Sequence, residues 1–254
     1  MLGIGFDINA VDPLMINMMD IINIENPMYS NYFHTDYKQD ITAFLEKAYT
    51  QEIITDGCYI DLNPAAEEQE VRELVKQKVK QSIAFTRGIG SKQVVFLSTY
   101  LPMIGLESYD EKFVAQSVAF WKEILSEEED ITISLCNTFE YTPELLLRIR
   151  EGVGDERFTL AIDLGHALAY GKIALDKFYK QMEPYADVVY IHSNDKERDE
   201  HLNVWQGKLL EDSGFKRIAH RLGYKKLIIK TLDKKHLVKN ILVLRQNIKS
   251  LGCC

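Results

Sequence analysis

Eight short runs rich in Ile, Val, Leu or Phe punctuate the chain, at residues 2–6, 20–25, 58–62, 93–98, 131–136, 158–163, 187–193 and 226–231. Most lack polar–apolar alternation. That is the pattern of strands covered on both faces, which occur in parallel sheets flanked by helices. The stretches between them supply the helices. Residues 68–86 carry Val71, Leu74, Val75, Val79 and Ile83 on one stripe, with Glu, Lys and Gln elsewhere. Further helices are expected at 109–126, 142–151, 173–182, 212–222 and 234–251, the last with Leu237, Ile241, Leu244 and Ile248 on one face. Gly88 suits a C-terminal cap for the 68–86 helix. The Gly88-Ile89-Gly90 stretch is no phosphate loop, because it follows a helix and a dinucleotide loop follows a strand.

Eight strand–helix pairs in 254 residues match the count and length of a (β/α)₈ TIM barrel. An open doubly wound sheet is the alternative, and the lack of a glycine-rich turn after the first strand counts against it. The first crossover is shortened: about a dozen residues separate the first two strands, and Asp12-Pro13 starts at most a short helix there. No linker, low-complexity segment or repeat divides residues 1–254, which read as one domain, and 46% hydrophobic content is ample for its core.

The net charge of −8 argues against a nucleic-acid surface. No apolar run approaches the ~20 residues of a membrane span. The opening MLGIGFDINA lacks a basic leader and reads as a first strand rather than a signal peptide. Cys58, Cys136, Cys253 and Cys254 have no paired spacing, as suits a reduced cytoplasm. The terminal Cys253-Cys254 is either a prenylation signal or a frayed end.

In such a barrel, functional residues sit at the C-terminal ends of strands. The third expected strand ends in Leu62-Asn63-Pro64, the fourth in Leu97-Ser98 and the fifth in Cys136-Asn137. The sixth ends in Asp163, followed by Leu164, Gly165 and His166. The seventh ends in His192, then Asn194, Asp195, Asp199 and His201, and the eighth in Lys230. Imidazole plus carboxylate suits zinc, manganese or iron. A single strand-end histidine is usually structural, and aspartates in a charged loop are ordinarily solvated. The concentration on strands six and seven is what points to a site.

Three stretches carry a resemblance: ISLCNTFEYTPELL (133–146), LAIDLGHALAYGK (160–172) and YIHSNDKERDEHLNVWQGKL (190–209). They resemble the xylose-isomerase-like barrels, in particular the sugar phosphate isomerase/epimerase and endonuclease IV branch. The family pattern they match is roughly Glu-Asn at strand five, where this chain has Cys136-Asn137, Asp-x-Gly-His at strand six, His-x-x-Asp at strand seven, then Asp-x-His and a glycine. The resemblance implies one divalent ion held by a Glu, an Asp, a His and a second Glu in epimerase-like members. Those positions are Cys136, Asp163, His192 and Lys230 here, so both glutamates are replaced. In the three-zinc endonucleases the early histidines fall near Leu62 and Leu97, while one zinc trio is kept as His166, Asp199 and His201.

An epimerase needs acid/base groups on two faces of one carbon. Cys136 meets that need only as a thiolate, and its ordinary pKa is about 8.5. Lys230 repels a divalent ion, and the expectation is that it takes the ion's place and pairs with Asp163. A reactive Lys230 forming a Schiff base is an alternative. The trio His166, Asp199 and His201 either holds one zinc, manganese or iron or contacts substrate, leaving the cofactor open between one divalent metal and none. Asn137, Asn194 and Asp195 are candidate substrate contacts, and Trp205 a candidate pocket wall. The reading that follows is an isomerase/epimerase-like barrel binding a small sugar or sugar phosphate. Kept beside it are a non-catalytic ligand- or partner-binding descendant, a lyase or dehydratase and, last, a phosphodiesterase. Homo-oligomerisation is left open.

Overall fold

The computed structural model describes residues 2–6, 19–34, 41, 43–46, 52–60 and 62–251. Eight parallel strands close into a barrel in chain order. They are β1 (Leu2–Phe6), β2 (Ile21–Ile24), β3 (Glu52–Asp56), β4 (Gln93–Leu97), β5 (Thr132–Cys136), β6 (Phe158–Asp163), β7 (Ala186–Ile191) and β8 (Lys226–Ile229), with β8 pairing back onto β1. Around them, among the described residues, lie α1 (Gln69–Gly88), α2 (Glu107–Glu127), α3 (Glu144–Val153), α4 (Leu164–Tyr170), α5 (Leu175–Met182), α6 (Ser213–Leu222) and α7 (Leu237–Leu251).

From β2 to β8 the strands bury residues on both faces, but against different partners. In β5, Ile133 and Leu135 pack outward with the helices, whereas Cys136 joins an inner cluster with Val95, Ala161, Val188, Tyr190 and Ile228. Side chains alternate along a strand, so every inward series continues into a residue at the C-terminal mouth. Ile21 leads to Asn23, Ile54 to Asp56, Ala161 to Asp163, Tyr190 to His192 and Ile228 to Lys230. Parity alone thus crowns an apolar plug with a polar ring. The opposite end is closed by Lys226, whose ammonium lies 2.5 Å from Glu52 Oε1 and donates to Gln93 Oε1 at 2.9 Å.

The structure corrects the sequence expectation in four places. The third strand is Glu52–Asp56 and not 58–62. There, Cys58 N–H donates to Ser82 Oγ at 3.1 Å and Leu62 N–H closes a turn onto the Tyr59 carbonyl. Gly57 follows the strand, its N–H still donating to the Val95 carbonyl at 2.8 Å, and a Cβ there would lie 2.0 Å from the Phe96 ring. Gly88 falls inside α1, and Gly90, with φ of +79°, takes the left-handed position instead. Val75, Val79 and Ile83 are buried as expected, but Val71 and Leu74 are exposed. Finally, α4 was not anticipated: its seven residues are too few for a periodic pattern. Asp12-Pro13 and Cys253-Cys254 lie outside the described residues. Among those described, no helix is long and apolar enough to cross a membrane.

Candidate active site at the barrel mouth

The mouth holds a cavity of about 310 Å³. One wall is a histidine–aspartate group from β6, β7 and the loop that follows β7. The opposite wall is built around Lys230.

Asp163 ends β6 and caps α4: its Oδ1 accepts the His166 N–H at 2.9 Å. The same oxygen lies 2.9 Å from His192 Nε2. Gly165 makes room for that imidazole, since a Cβ there would sit 2.0 Å from His192 Cε1. His192 is fully buried, and its ring stacks on His201 with centroids 3.8 Å apart. His201 has φ of +48°, in the left-handed region that residues with a Cβ seldom occupy, and such strain concentrates at functional sites.

Backbone carbonyls fix the tautomers of the two rim imidazoles. His166 donates Nδ1–H to the Asn137 carbonyl at 2.9 Å, and His201 donates Nδ1–H to the Lys230 carbonyl at 2.6 Å, because a carbonyl only accepts. Each Nε2 then faces Asp199 Oδ2, at 3.1 and 3.2 Å. Ligand atoms of His166, His192, Asp199 and His201 all lie within 4.8 Å of one another. The approach of His192 to Asp163 is not aligned for a hydrogen bond. Among the described residues, both His192 ring nitrogens and Asp199 Oδ1 are buried without a hydrogen-bond partner. Orphaned polar atoms of this kind call for a ligand, a water or an ion. The donor set fits a zinc-class divalent ion: two imidazoles oriented from behind by carbonyls, plus a carboxylate.

Burial alone depresses His166, but the charges of Asp163 and Asp199 outweigh it and raise the pKa to about 9. Burial pushes Asp163 and Asp199 upward, yet the neighbouring histidines hold both well below the usual carboxylate range. His192 is lowered, by burial first and against the pull of Asp163.

Across the cavity, Lys230 does not pair with Asp163, contrary to the sequence expectation. Its ammonium lies 2.5 Å from Asp56 Oδ2 and 2.9 Å from Glu25 Oε1, and donates to Asn23 Oδ1 at 3.3 Å. Asp56 Oδ1 accepts the Tyr190 O–H at 2.7 Å and an Asn23 Nδ2–H at 3.0 Å. Asp163 is already engaged by His192 and α4, and β3 brings Asp56 to the ammonium in its place. Burial lowers the Lys230 pKa, but Asp56 and Glu25 raise it further, so the lysine stays a cation. The Schiff-base alternative needs a free amine and loses its basis. Cys136 is fully buried; burial first, then the Asp163 charge, pushes its thiol well above the ordinary value, so the thiolate expectation gives way to a packed thiol.

Asp163, His166, Asp199, His201 and Lys230 line the cavity together. Four expected contacts do not. Asn137 spends its amide on β6, donating to the Asp163 carbonyl at 3.0 Å and accepting the Asp163 N–H at 2.8 Å. Asn194 is buried, donating to the Gly165 carbonyl at 2.7 Å. Asp195 caps its own loop by accepting the N–H groups of Glu197 and Arg198. Trp205 packs against His236 and under the Lys239 ammonium. Sequence reasoning missed Asp56, Glu25, Tyr59, Phe139, Tyr170 and Tyr190 at the mouth. Asp56 had a legible signal, a β-branched run closed by Asp-Gly at 52–57.

A family model for the xylose isomerase-like TIM barrel matches residues 19–250. The chain belongs to that family. Among solved structures, a D-tagatose 3-epimerase-like protein superposes with a TM-score of 0.80 at 22% identity, over 99% of this chain and 98% of the other. An IolI protein with a bound zinc atom superposes with a TM-score of 0.71 at 13% identity, over 99% and 97%. At these identities the likeness is one of fold. An uncharacterized protein of Methanocaldococcus jannaschii is 27% identical over 176 residues, covering 65% of this chain and 59% of its own length. This member of the xylose isomerase-like barrels carries Asp163 at the end of β6, His192 just beyond β7 and Lys230 just beyond β8.

Proposed function

We propose that this xylose isomerase-like barrel is a metal-dependent enzyme of the isomerase and epimerase type, acting on a small sugar or sugar phosphate at its mouth. One observation carries the reading. His166 and His201 each spend Nδ1–H on a backbone carbonyl, so both Nε2 atoms turn toward Asp199 at the cavity wall. That is how ligating histidines are oriented in metal sites. His166, Asp199 and His201 hold the ion, zinc by donor type with manganese and iron as alternatives, and the zinc in the IolI neighbour supports the choice. A divalent ion bound by three protein ligands supplies Lewis-acid polarisation of a substrate oxygen. Asp163 and His192 back the group, Asp163 by anchoring α4 and therefore His166. Tyr59 and Tyr170 line the cavity, and we assign their hydroxyls to orienting substrate.

A second reading, a ligand-binding descendant without turnover, is favoured by one specific observation. The two positions carrying the family's glutamates hold a packed thiol at Cys136 and a committed ammonium at Lys230. Proton NMR in D2O separates the two. The zinc-loaded full chain is incubated with a panel of aldoses, ketoses and their phosphates. Solvent deuterium in the sugar, or interconversion, abolished by a chelator supports the enzyme. Saturable binding with neither supports the second reading and contradicts the first.

A further inference from the structure

We propose that two opposite sides of the barrel form a head-to-tail interface between copies of this chain: the loop after β4 of one copy packs on the outer stripe of α7 of the next. The loop reads LPMIGL, residues 101–106. Leu101, Met103, Ile104 and Leu106 are all exposed there, Met103 at 66% and Leu106 at 59%. A run of large apolar residues left in water marks a contact surface. The charge beside it has one sign. Residues 101–111 include Glu107, Asp110 and Glu111 and no Lys or Arg. The Lys112 that follows is engaged by Glu67, and Arg148 by Glu111, whereas Glu107 has no ion pair among the described residues.

The outer face of α7 is the counterpart. Residues 208–254 hold 12 of the chain's 30 Lys and Arg but three of its 38 Asp and Glu, and α7 itself has no carboxylate. Val238, Lys239, Leu242 and Arg245 recur at three- and four-residue spacing, so they share one stripe, and all four are exposed, Leu242 at 60%. The Lys239 ammonium rests over the Trp205 ring, and neither it nor Arg245 has an ion pair among the described residues. An apolar loop beside acids and an apolar stripe between bases complement each other in both respects, and such matching of charge selects partners. One chain carries both halves, so the partner is a second copy. β4 and β8 lie opposite one another in the closed eight-stranded ring, so a chain cannot cover its own α7. Nor can two copies exchange both contacts about a single two-fold axis. The contact is heterologous, and copies add end to end until a ring closes.

The test is sedimentation velocity of the full chain over about 1–100 μM, the range of micromolar contacts. The wild-type mass should climb past that of a dimer as concentration rises. One variant, Met103→Gln with Leu106→Gln, blunts the loop; another, Val238→Gln with Leu242→Gln, blunts the stripe. Each should weaken association by about tenfold or more. Mixed in equal amounts, the two should form a dimer and stop there, because one intact loop meets one intact stripe. A wild-type chain that stays monomeric throughout, a folded variant that associates like the wild type, or a mixture of folded variants no heavier than its parts overturns the proposal. Should either variant be unfolded by circular dichroism, the charges decide. Arg245→Glu should weaken association, and adding Glu107→Arg in the same chain should restore it; no weakening, or no recovery, overturns the proposal.

Discussion

The two walls of the mouth are both polar, buried and charged, yet they are wired in opposite ways. Around Lys230, every ammonium proton has an acceptor, and Asp56 is met from three sides. Around Asp199, two imidazole nitrogens converge on one oxygen, three buried polar atoms have no hydrogen-bond partner among the described residues and His201 sits in a strained backbone conformation. A satisfied network spends its interactions on holding strands together. A network left short, at the wall of a cavity, is prepared for something outside the chain. On the first wall, Lys230 supplies a resident cation held by Asp56 and Glu25.

The comparison breaks most directly at Lys230. In Lys230→Met, Asp56 and Glu25 lose their buried counter-ion, and stability in urea should fall by about 3–5 kcal/mol. A loss below about 1 kcal/mol would show that this wall is not the structural one. On the other wall, removing metal should matter more than removing a side chain. With free zinc held at about a hundred times its Kd, the loaded protein should exceed the chelator-treated one by about 2.7 kcal/mol. Asp199→Asn should erase that difference.

The walls should also separate by pH. His166 has its pKa raised from 6.5 to about 9, so in metal-free protein its contribution is complete below pH 6.5 and is lost as pH rises toward 9. The slope from this one proton is at most about 1.4 kcal/mol per unit. Zinc must displace that proton, so over the same window affinity should rise as metal-free stability falls. Parallel slopes would mean that His166 is not a ligand. The smallest effect belongs to Cys136. Its thiol is buried and protonated, so Cys136→Ala should cost about 1 kcal/mol of packing and leave metal content unchanged.

How much of this was legible in the sequence follows from the same physics. Seven of the eight expected strands lie where the described strands are, because apolar runs buried on both faces leave little choice of period. The Asp-x-Gly-His and Asp-x-His stretches were legible because cap, glycine clearance and ligands lie within a few residues of one another, as with Asp163, Gly165 and His166. The Lys230 partners were not. They come from β2 and β3, 174 residues away for Asp56, and a third strand placed six residues late put Leu62 where Asp56 belongs. Nor could sequence distinguish Asn137 the substrate contact from Asn137 the strap between β5 and β6. That depends on which backbone groups its amide meets.

The central claim is that His166, Asp199 and His201 form a single-metal site beside a lysine wall that needs none. It is tested by plasma mass spectrometry on full-length protein purified without chelator or affinity tag, alongside His201→Ala. The account predicts about one zinc, manganese or iron per wild-type chain and none in the variant. A metal-free wild-type chain, or a variant that keeps its metal, would contradict it.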